Sequence, residues 1–347
     1  MPRGCCDAVP AVPESGQARP EVSDEVVVRR ARPDERDAVV ALAAAALGWR
    51  DGDRDADLFA WKHDDNPFGA SPVWVAEADG ELVGIRAFLR WAFRRPEGGV
   101  AAAVRAVDTA THPAAQGRGV FTRLTTTAID ELREEGVDFV FNTPNDRSRP
   151  GYLKMGWQVV GRVPVTVRPS GPGGLARTAR ARVPAAKWSL PSRVGEHPAD
   201  AFAESTALDA LLAGQPPPRG LATVRSVGFL RWRYGFEPLA YRVLPAGDSI
   251  AAGFAVFRLR ARGDAIECTI ADVVVPGGDH RAAVRLAADA AARTRADYAL
   301  LVGHRAGRGG FLPLPGQGPV LTWRRLADRD PSPPSRWALS LGDLELF

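Results

Sequence analysis

Residues 111–120 read Thr-His-Pro-Ala-Ala-Gln-Gly-Arg-Gly-Val, and this short stretch stands between two regular segments. The residues before it, 101–110, are mostly apolar, which predicts a buried strand. From Val120 onward apolar residues recur at helical spacing, which predicts an amphipathic helix. Gly117 and Gly119 permit a sharp turn between the two elements, and the free N–H groups of the first helical turn then point outward. The positive end of the helix dipole therefore favours a phosphate or pyrophosphate ligand.

The glycine spacing distinguishes this loop from two common phosphate loops. It lacks the Lys-Ser or Lys-Thr of GxxxxGK[ST], and Thr122 stands where GxGxxG requires glycine. Gln116-Gly-Arg-Gly-Val-Phe121 instead resembles the acyl-CoA loop of the GNAT (Gcn5-related) N-acetyltransferase family, Q/R-x-x-G-x-G/A, with phenylalanine at the last position. Thr111-His-Pro is similar to the Val-His-Pro strand end of that family. Phe139 to Asn145 and Gly151-Tyr-Leu-Lys-Met-Gly-Trp157 resemble its strand, its asparagine and its Tyr-x-x-x-Gly-Phe ending.

The resemblance implies an α/β (α+β) fold, a mixed and mostly antiparallel sheet in which two parallel strands splay apart between flanking helices. It also implies acetyl-CoA or another acyl-CoA as cosubstrate, no metal, and direct attack of an amine on the thioester. In such a site, backbone N–H groups freed by a bulge near Ala110 and Thr111 hold the acyl carbonyl. The residues that the resemblance assigns to the cosubstrate are Ala110, Thr111, Gln116, Gly117, Arg118, Gly119, Val120, Phe121 and Asn145. The alternative for Asn145 is a helix cap.

Two residues are candidates for acid and base catalysis. The resemblance assigns Tyr152 as the general acid that protonates the leaving thiolate, and the alternative is a core tyrosine with a satisfied hydroxyl. Asp108 is a carboxylate in an otherwise apolar strand, close to the expected acyl group. Burial would raise its pKa towards neutrality and make it a base. Asp108 could equally pair with Arg105 or Arg86, or face solvent.

An aromatic and polar segment, residues 58–69, has two interpretations. Its Lys-His-Asp-Asp run can line an acceptor pocket, with His63, Asp64 or Asp65 touching an amine. It can also be a short helix that stops at Pro67, with its aromatic residues packed in the core.

The amino-acid composition limits which kinds of molecule the protein is expected to bind. The chain has 347 residues, 45% of them hydrophobic and 25% charged, and a formal net charge of +4. This mild basicity implies no nucleic-acid partner and only a slight preference for anionic ligands. The 3 cysteines lack metal-ligand or disulfide spacing, which favours a reducing cytoplasm. No apolar stretch has the length of a membrane helix, so no membrane association is expected. Assembly into a homo-oligomer is compatible with this composition.

The order of predicted elements suggests two related halves. We expect a disordered leader at 1–24, a catalytic GNAT-like domain at 25–168, a linker at 169–187 and a second GNAT-like domain at 188–347. The second domain repeats the strand, loop, helix and strand order and ends in a C-terminal tail. Its loop at 276–279, Pro-Gly-Gly-Asp, has no Gln-x-x-Gly. We therefore expect a duplicated fold whose second copy has lost the CoA loop.

These observations together predict an acyl-CoA-dependent N-acetyltransferase that acts on the amine of a small molecule. The alternatives are a non-catalytic CoA-binding or scaffold protein, and a GNAT fold that acts on a non-amine acceptor.

Overall fold

The computed structural model describes residues 25–47, 49, 53–180, 183–303, 309–327 and 337–344. The leader expected at 1–24 and the last three residues of the expected C-terminal tail lie outside the described residues.

Strands and helices alternate along both halves of the chain. The strands are β1 (Val27–Arg30), β2 (Val73–Ala78), β3 (Glu81–Arg94), β4 (Val100–Thr111), β5 (Phe139–Asn142), β6 (Gln158–Arg162), β7 (Val165–Pro169), β8 (Ala222–Thr223), β9 (Arg242–Pro245), β10 (Phe254–Arg262), β11 (Ala265–Val274), β12 (Tyr298–Val302), β13 (Leu312–Pro313) and β14 (Val320–Arg325). The helices are α1 (Arg36–Leu47), α2 (Asp53–His63), α3 (Val120–Glu134), α4 (Arg149–Lys154), α5 (Pro172–Arg180), α6 (Pro198–Ala201), α7 (Ser205–Ala213), α8 (Val227–Gly235), α9 (His280–Thr294) and α10 (Leu341–Leu344). Within the described ranges, no helix combines the length and the apolar character needed to cross a membrane.

The strands form two mixed sheets. The first has the order β1-β2-β3-β4-β5-β14-β6, with β8 paired to β3, and the second has the order β13-β7-β12-β11-β10-β9. Neighbours joined by tight turns are antiparallel, whereas β4 and β5 run parallel because α3 connects them. In the second sheet β11 and β12 are parallel in the same way, with α9 between them. The predicted fold class, a mixed and mostly antiparallel sheet with flanking helices, is confirmed.

The parallel pair β4 and β5 separates after a few residues. Ala103, Val104 and Arg105 pair with residues 139–141, and β4 then continues to Thr111 beside β3 alone. β5 ends at Asn142, and its other edge pairs with β14 along its whole length. Beyond Arg105, β4 therefore pairs with β3 on one edge, and its other edge extends past the end of β5, which leaves a gap there.

The two sheets exchange strands between the halves of the chain. β14, close to the C-terminus, lies between β5 and β6 of the first sheet, and β7 pairs with β12 of the second. The boundary expected at residue 168 thus does not coincide with the division between the sheets. The expected linker contains α5, whose Arg177 forms an ion pair with Asp297.

Helices cover both faces of the first sheet. On one face α3 buries the predicted stripe, which consists of Val120, Leu124, Ala128 and Leu132. On the other face α1 and α2 pack against β2, β3 and β4. α8 of the second half joins α2 through Trp61 and Trp232, whose rings stack 5.1 Å apart and whose indole N–H groups each donate to the other's carbonyl. The second half therefore closes the α2 face of the first sheet.

A proline substitution tests whether β14 is integral to the first sheet. Thr322 is buried between β5 and β6, where proline removes a ladder donor and clashes with its neighbours. We expect Thr322→Pro to lower the free energy of unfolding by about 3 kcal/mol or more, the size of a proline effect inside regular structure. Urea unfolding measures this loss, and Leu312→Pro in the exposed edge strand β13 is the matched control. Equal losses in the two variants would contradict the assigned strand order.

Candidate functional site

The loop before α3 is open above its two glycines. Gly117 and Gly119 have φ of 81° and 74°, the left-handed region that glycine adopts without strain. A Cβ atom built on either one would meet no heavy atom within 4 Å. The turn before them is closed by Gln116, whose Nε2 donates to the Thr111 carbonyl. A ligand can therefore approach this backbone closely.

The first turn of α3 presents unpaired donors at the same place. Gly119 is the N-cap and provides no side-chain cap, and the Arg123 N–H is the donor to its carbonyl at 3.0 Å. The amides of Val120, Phe121 and Thr122 consequently have no intrahelical acceptor. With the positive end of the helix dipole, these amides and the open glycines fit a diphosphate. Arg118 is exposed beside them.

The corresponding loop of the second half is open at Gly277, where a Cβ would meet no heavy atom within 4 Å, but is covered at Gly278. A Cβ on Gly278 would lie 3.1 Å from the ring of Pro216. The N-cap of α9 is Asp279, whose carboxylate accepts a hydrogen bond from the Arg281 N–H. That hydrogen bond lowers the pKa of Asp279. A carboxylate thus already occupies the anion position that the first half leaves open.

Backbone donors of β4 face the gap between the strands. The His112 N–H donates to the Val83 carbonyl on the β3 side at 2.9 Å. Because successive amides of a strand alternate between its edges, the Thr111 N–H faces the gap and the Ala110 N–H faces β3. Of the two backbone groups expected to hold an acyl carbonyl, only Thr111 is thus directed towards the gap.

Tyr152 lies on the α3 side of the sheet. It is buried, and its ring meets the Phe121 ring edge-on at 5.4 Å. The Tyr152 hydroxyl accepts a hydrogen bond of 2.8 Å from Arg86 Nη2. Asn145 lies before α4, where its Oδ1 accepts from the N–H groups of Arg147 and Ser148. Asn145 thus makes the contacts that its alternative interpretation as a cap expects.

Asp108 lies on the opposite face, in a bulge of β4. Its φ is 33°, and the register of β3 and β4 shifts around it. Its Oδ2 accepts from Lys62 Nζ at 2.6 Å and lies 2.7 Å from His63 Nε2. Burial favours the neutral acid, but these two neighbours outweigh it and hold the pKa of the Asp108 carboxyl well below its usual value. The expected rise in its pKa was therefore wrong, as was pairing with Arg86 or Arg105.

His63 completes the cluster that α2 brings to Asp108. Burial lowers the pKa of His63, so the imidazole is neutral at neutral pH. Its Nε2 then carries the hydrogen that is donated to Asp108, and its Nδ1 carries a lone pair. This Nδ1 is buried without a hydrogen-bond partner. Phe59 and Trp61 are buried in α2, as the helical interpretation of residues 58–69 expects, although the helix ends at His63 rather than at Pro67. That the segment lines an acceptor pocket stays a prediction.

Arg105 connects the end of the chain to the gap. Its guanidinium donates to the carbonyls of Asp343 and Leu344 at 2.5 and 2.7 Å, and to Thr143 Oγ1 at 3.2 Å. Burial, with nearby Arg233, lowers the pKa of Arg105 to about 10. Sequence reasoning missed this contact, because nothing in the C-terminal residues signals the partner. α10 is thereby fixed beside the splayed strands.

The neutral state of His63 makes stability depend on pH. Its folded-state pKa is lowered by burial and by Lys62 and Arg36, although Asp108 opposes them. The unfolded chain therefore takes up this proton more readily, and the free energy of unfolding falls as pH drops below about 6.5. In the wild type, His63 is expected to cost up to about 1.4 kcal/mol of unfolding free energy for each pH unit below this value. We expect His63→Gln to abolish that loss. Urea unfolding between about pH 7.5 and pH 5 measures it, with the exposed His112→Gln as control. Parallel curves for His63→Gln and wild type would contradict this assignment.

Comparison with known proteins agrees with this geometry. Residues 27–160 match the model of a family described as an acetyltransferase (GNAT) domain. No curated protein matches the chain.

Solved structures share its fold at low identity. A GCN5-related N-acetyltransferase from Anabaena variabilis is 12% identical, with a TM-score of 0.58 over 87% of this chain and 73% of that one. Eis1 from Mycobacterium abscessus is 15% identical, with a TM-score of 0.54 over 87% and 74%. A GCN5-related N-acetyltransferase from Kribbella flavida is 14% identical, with a TM-score of 0.54 over 87% and 72%. Residues 27–160 of this chain thus match a GNAT acetyltransferase domain in sequence, and the solved structures share its fold.

Proposed function

We propose that the chain transfers an acyl group from acyl-CoA, with acetyl-CoA the first choice, to the amine of a small molecule. The observation that carries this proposal is the pairing of an open glycine loop and an uncapped helix start with a gap between parallel strands. A buried tyrosine stands beside the end of the loop. The proposal takes the amides at the helix start as the donors for the anion and the tyrosine as the acid for the leaving group.

The chain itself supplies the groups that hold the cosubstrate. Backbone amides of Val120, Phe121 and Thr122 would hold the diphosphate, and Gly117 and Gly119 would let it approach. The Thr111 N–H would polarise the acyl carbonyl from the open edge of β4. Bound acyl-CoA supplies an acyl group activated as a thioester.

Proton transfer can be divided between the two faces of the sheet. Tyr152, on the α3 face, would donate its proton to the leaving thiolate. His63, on the α2 face, would accept the proton of the attacking amine at Nδ1, with its Nε2–H oriented by Asp108. Asp108 then orients a base and neutralises Lys62 rather than acting as the base itself, in line with its lowered pKa.

The closure of the α2 face supports a small acceptor. α8 packs on α2 through Trp61 and Trp232, and Arg105 holds the backbone of α10 beside the gap. A folded protein acceptor would need an open surface at this position. Free-thiol release from acetyl-CoA, measured across a panel of small amines, tests the whole proposal. Thiol release that no amine accelerates would refute it.

Cosubstrate binding tests the glycine loop. Gly119→Glu places bulk and negative charge where the diphosphate is expected, so we expect acetyl-CoA binding to be lost in calorimetry. Gly80→Glu is the matched control, because Gly80 has a similar φ of 79° and open space above it but lies in the β2–β3 turn. Equal affinity in Gly119→Glu and wild type would remove the loop from the binding site.

The turnover rate of a Tyr152 variant tests whether this residue is the general acid. We expect Tyr152→Phe to lower kcat on the order of 10²-fold while the affinity for acetyl-CoA changes little, because only the proton donor is lost. Tyr298→Phe is the control, since Tyr298 is also buried but donates its hydrogen bond to Glu267 in the second sheet. Wild-type turnover in Tyr152→Phe would exclude Tyr152 as the acid.

A further inference from the structure

Arg86 is a buried cation that lacks a counter-charge. Its side chain lies in the middle of β3, and the residue has 0% relative exposure. Its Nη2 donates to the Tyr152 hydroxyl, while its Nε and Nη1 are buried without a hydrogen-bond partner. Among the residues that the structure describes, no carboxylate lies within ion-pair distance of this guanidinium. Asp108, the acid that sequence reasoning offered as its partner, faces the other side of the sheet.

Three aromatic rings lie around this charge. The Arg86 guanidinium lies 4.7 Å from the ring centre of Phe88, 5.5 Å from that of Phe121 and 5.3 Å from that of Tyr152. Such contacts attract a cation but leave its in-plane N–H groups unsatisfied. An apolar side chain of similar length would suit this environment better, because a buried unpaired charge destabilises a fold. A feature that opposes stability in this way is expected at a functional site.

The hydrogen bond from Arg86 also determines how the Tyr152 hydroxyl can act. Arginine has donors and no acceptor, so the Tyr152 oxygen must accept and its own hydrogen must point elsewhere. Among the described residues, no group accepts a hydrogen bond from the Tyr152 hydroxyl. The hydroxyl is thereby kept as a donor for a group that is absent from the chain itself.

We propose that Arg86 is the positioning residue of the acid: it directs the Tyr152 proton towards the leaving group and stabilises the phenolate that remains. This inference rests on the proposed acyl transfer. The amine nitrogen forms the new C–N bond as the C–S bond of the thioester breaks, and the electron pair of that bond passes to sulfur. Tyr152 gives its proton to this sulfur and becomes a phenolate opposite Arg86. The proton that the amine loses restores the phenol through His63 and solvent.

Arg86→Met separates this role from a structural one, because we expect thermal stability and kcat to change in opposite directions. We expect thermal stability to stay the same or rise, because the substitution removes an unpaired buried charge and keeps the side-chain length. We expect kcat with acetyl-CoA and a competent amine to fall on the order of 10²-fold, with KM for acetyl-CoA within about 3-fold. Arg86→Lys keeps the charge and is expected to retain more of the turnover than Arg86→Met.

The double variant tests whether Arg86 acts through Tyr152. In a Tyr152→Phe background no phenolate forms, so adding Arg86→Met is expected to change kcat by less than about 3-fold. Equal losses in both backgrounds, together with a lower melting temperature, would assign Arg86 a structural role and overturn the inference. An Arg86→Met variant whose kcat equals that of the wild type would overturn the inference as well. The proposed function would still hold in that case, provided that the wild-type protein shows amine-dependent thiol release. Absence of that release in the wild type would instead refute the proposed function, and the inference with it.

Discussion

The separation of β4 from β5 after three residue pairs is the constraint on which the site depends. β3 holds β4 as far as Thr111, and β14 holds β5, so neither strand can close the gap by turning towards the other. Within the part of the chain that the structure describes, an edge of β4 thus stays unpaired at partly buried residues, where an unused N–H is costly. The loop before α3, the bulge at Asp108 and the guanidinium of Arg105 all lie along this gap. A ligand that adds its own hydrogen bonds to the open edge would complete the sheet.

The two faces beside this gap handle buried charge in different ways. On the α2 face, Lys62 and Asp108 balance each other, and the neutral His63 adds a hydrogen bond rather than a charge. On the α3 face, the partners of Arg86 among the described residues are the Tyr152 hydroxyl and aromatic rings. In the second half, Asp279 supplies a carboxylate to the start of its own helix α9. The α2 face thus compensates its buried charge from within the chain, whereas Arg86 on the α3 face has no carboxylate partner among the described residues.

Features encoded by neighbouring residues could be predicted, whereas those that depend on distant partners could not. The helical stripe from Val120 and the left-handed glycines follow from local spacing and backbone sterics. The low pKa of Asp108 depends on α2, about 45 residues away along the chain, and a carboxylate in an apolar strand does not reveal which cation will meet it. The contact of Arg105 with the C-terminal backbone spans 238 residues and involves carbonyls, which every residue has. Sequence pattern carries no information about such partners.

The position of β14 has a consequence for synthesis of the protein on the ribosome. Asn142 in β5 meets Thr322 in β14, 180 residues later. At roughly 5–20 residues per second, translation of that interval takes about 10–40 s. During this time β5 has emerged without its neighbour, and its free edge and apolar surface are open to aggregation or to the matching strand of another nascent chain. Chaperone demand during expression is thus built into the order of the strands.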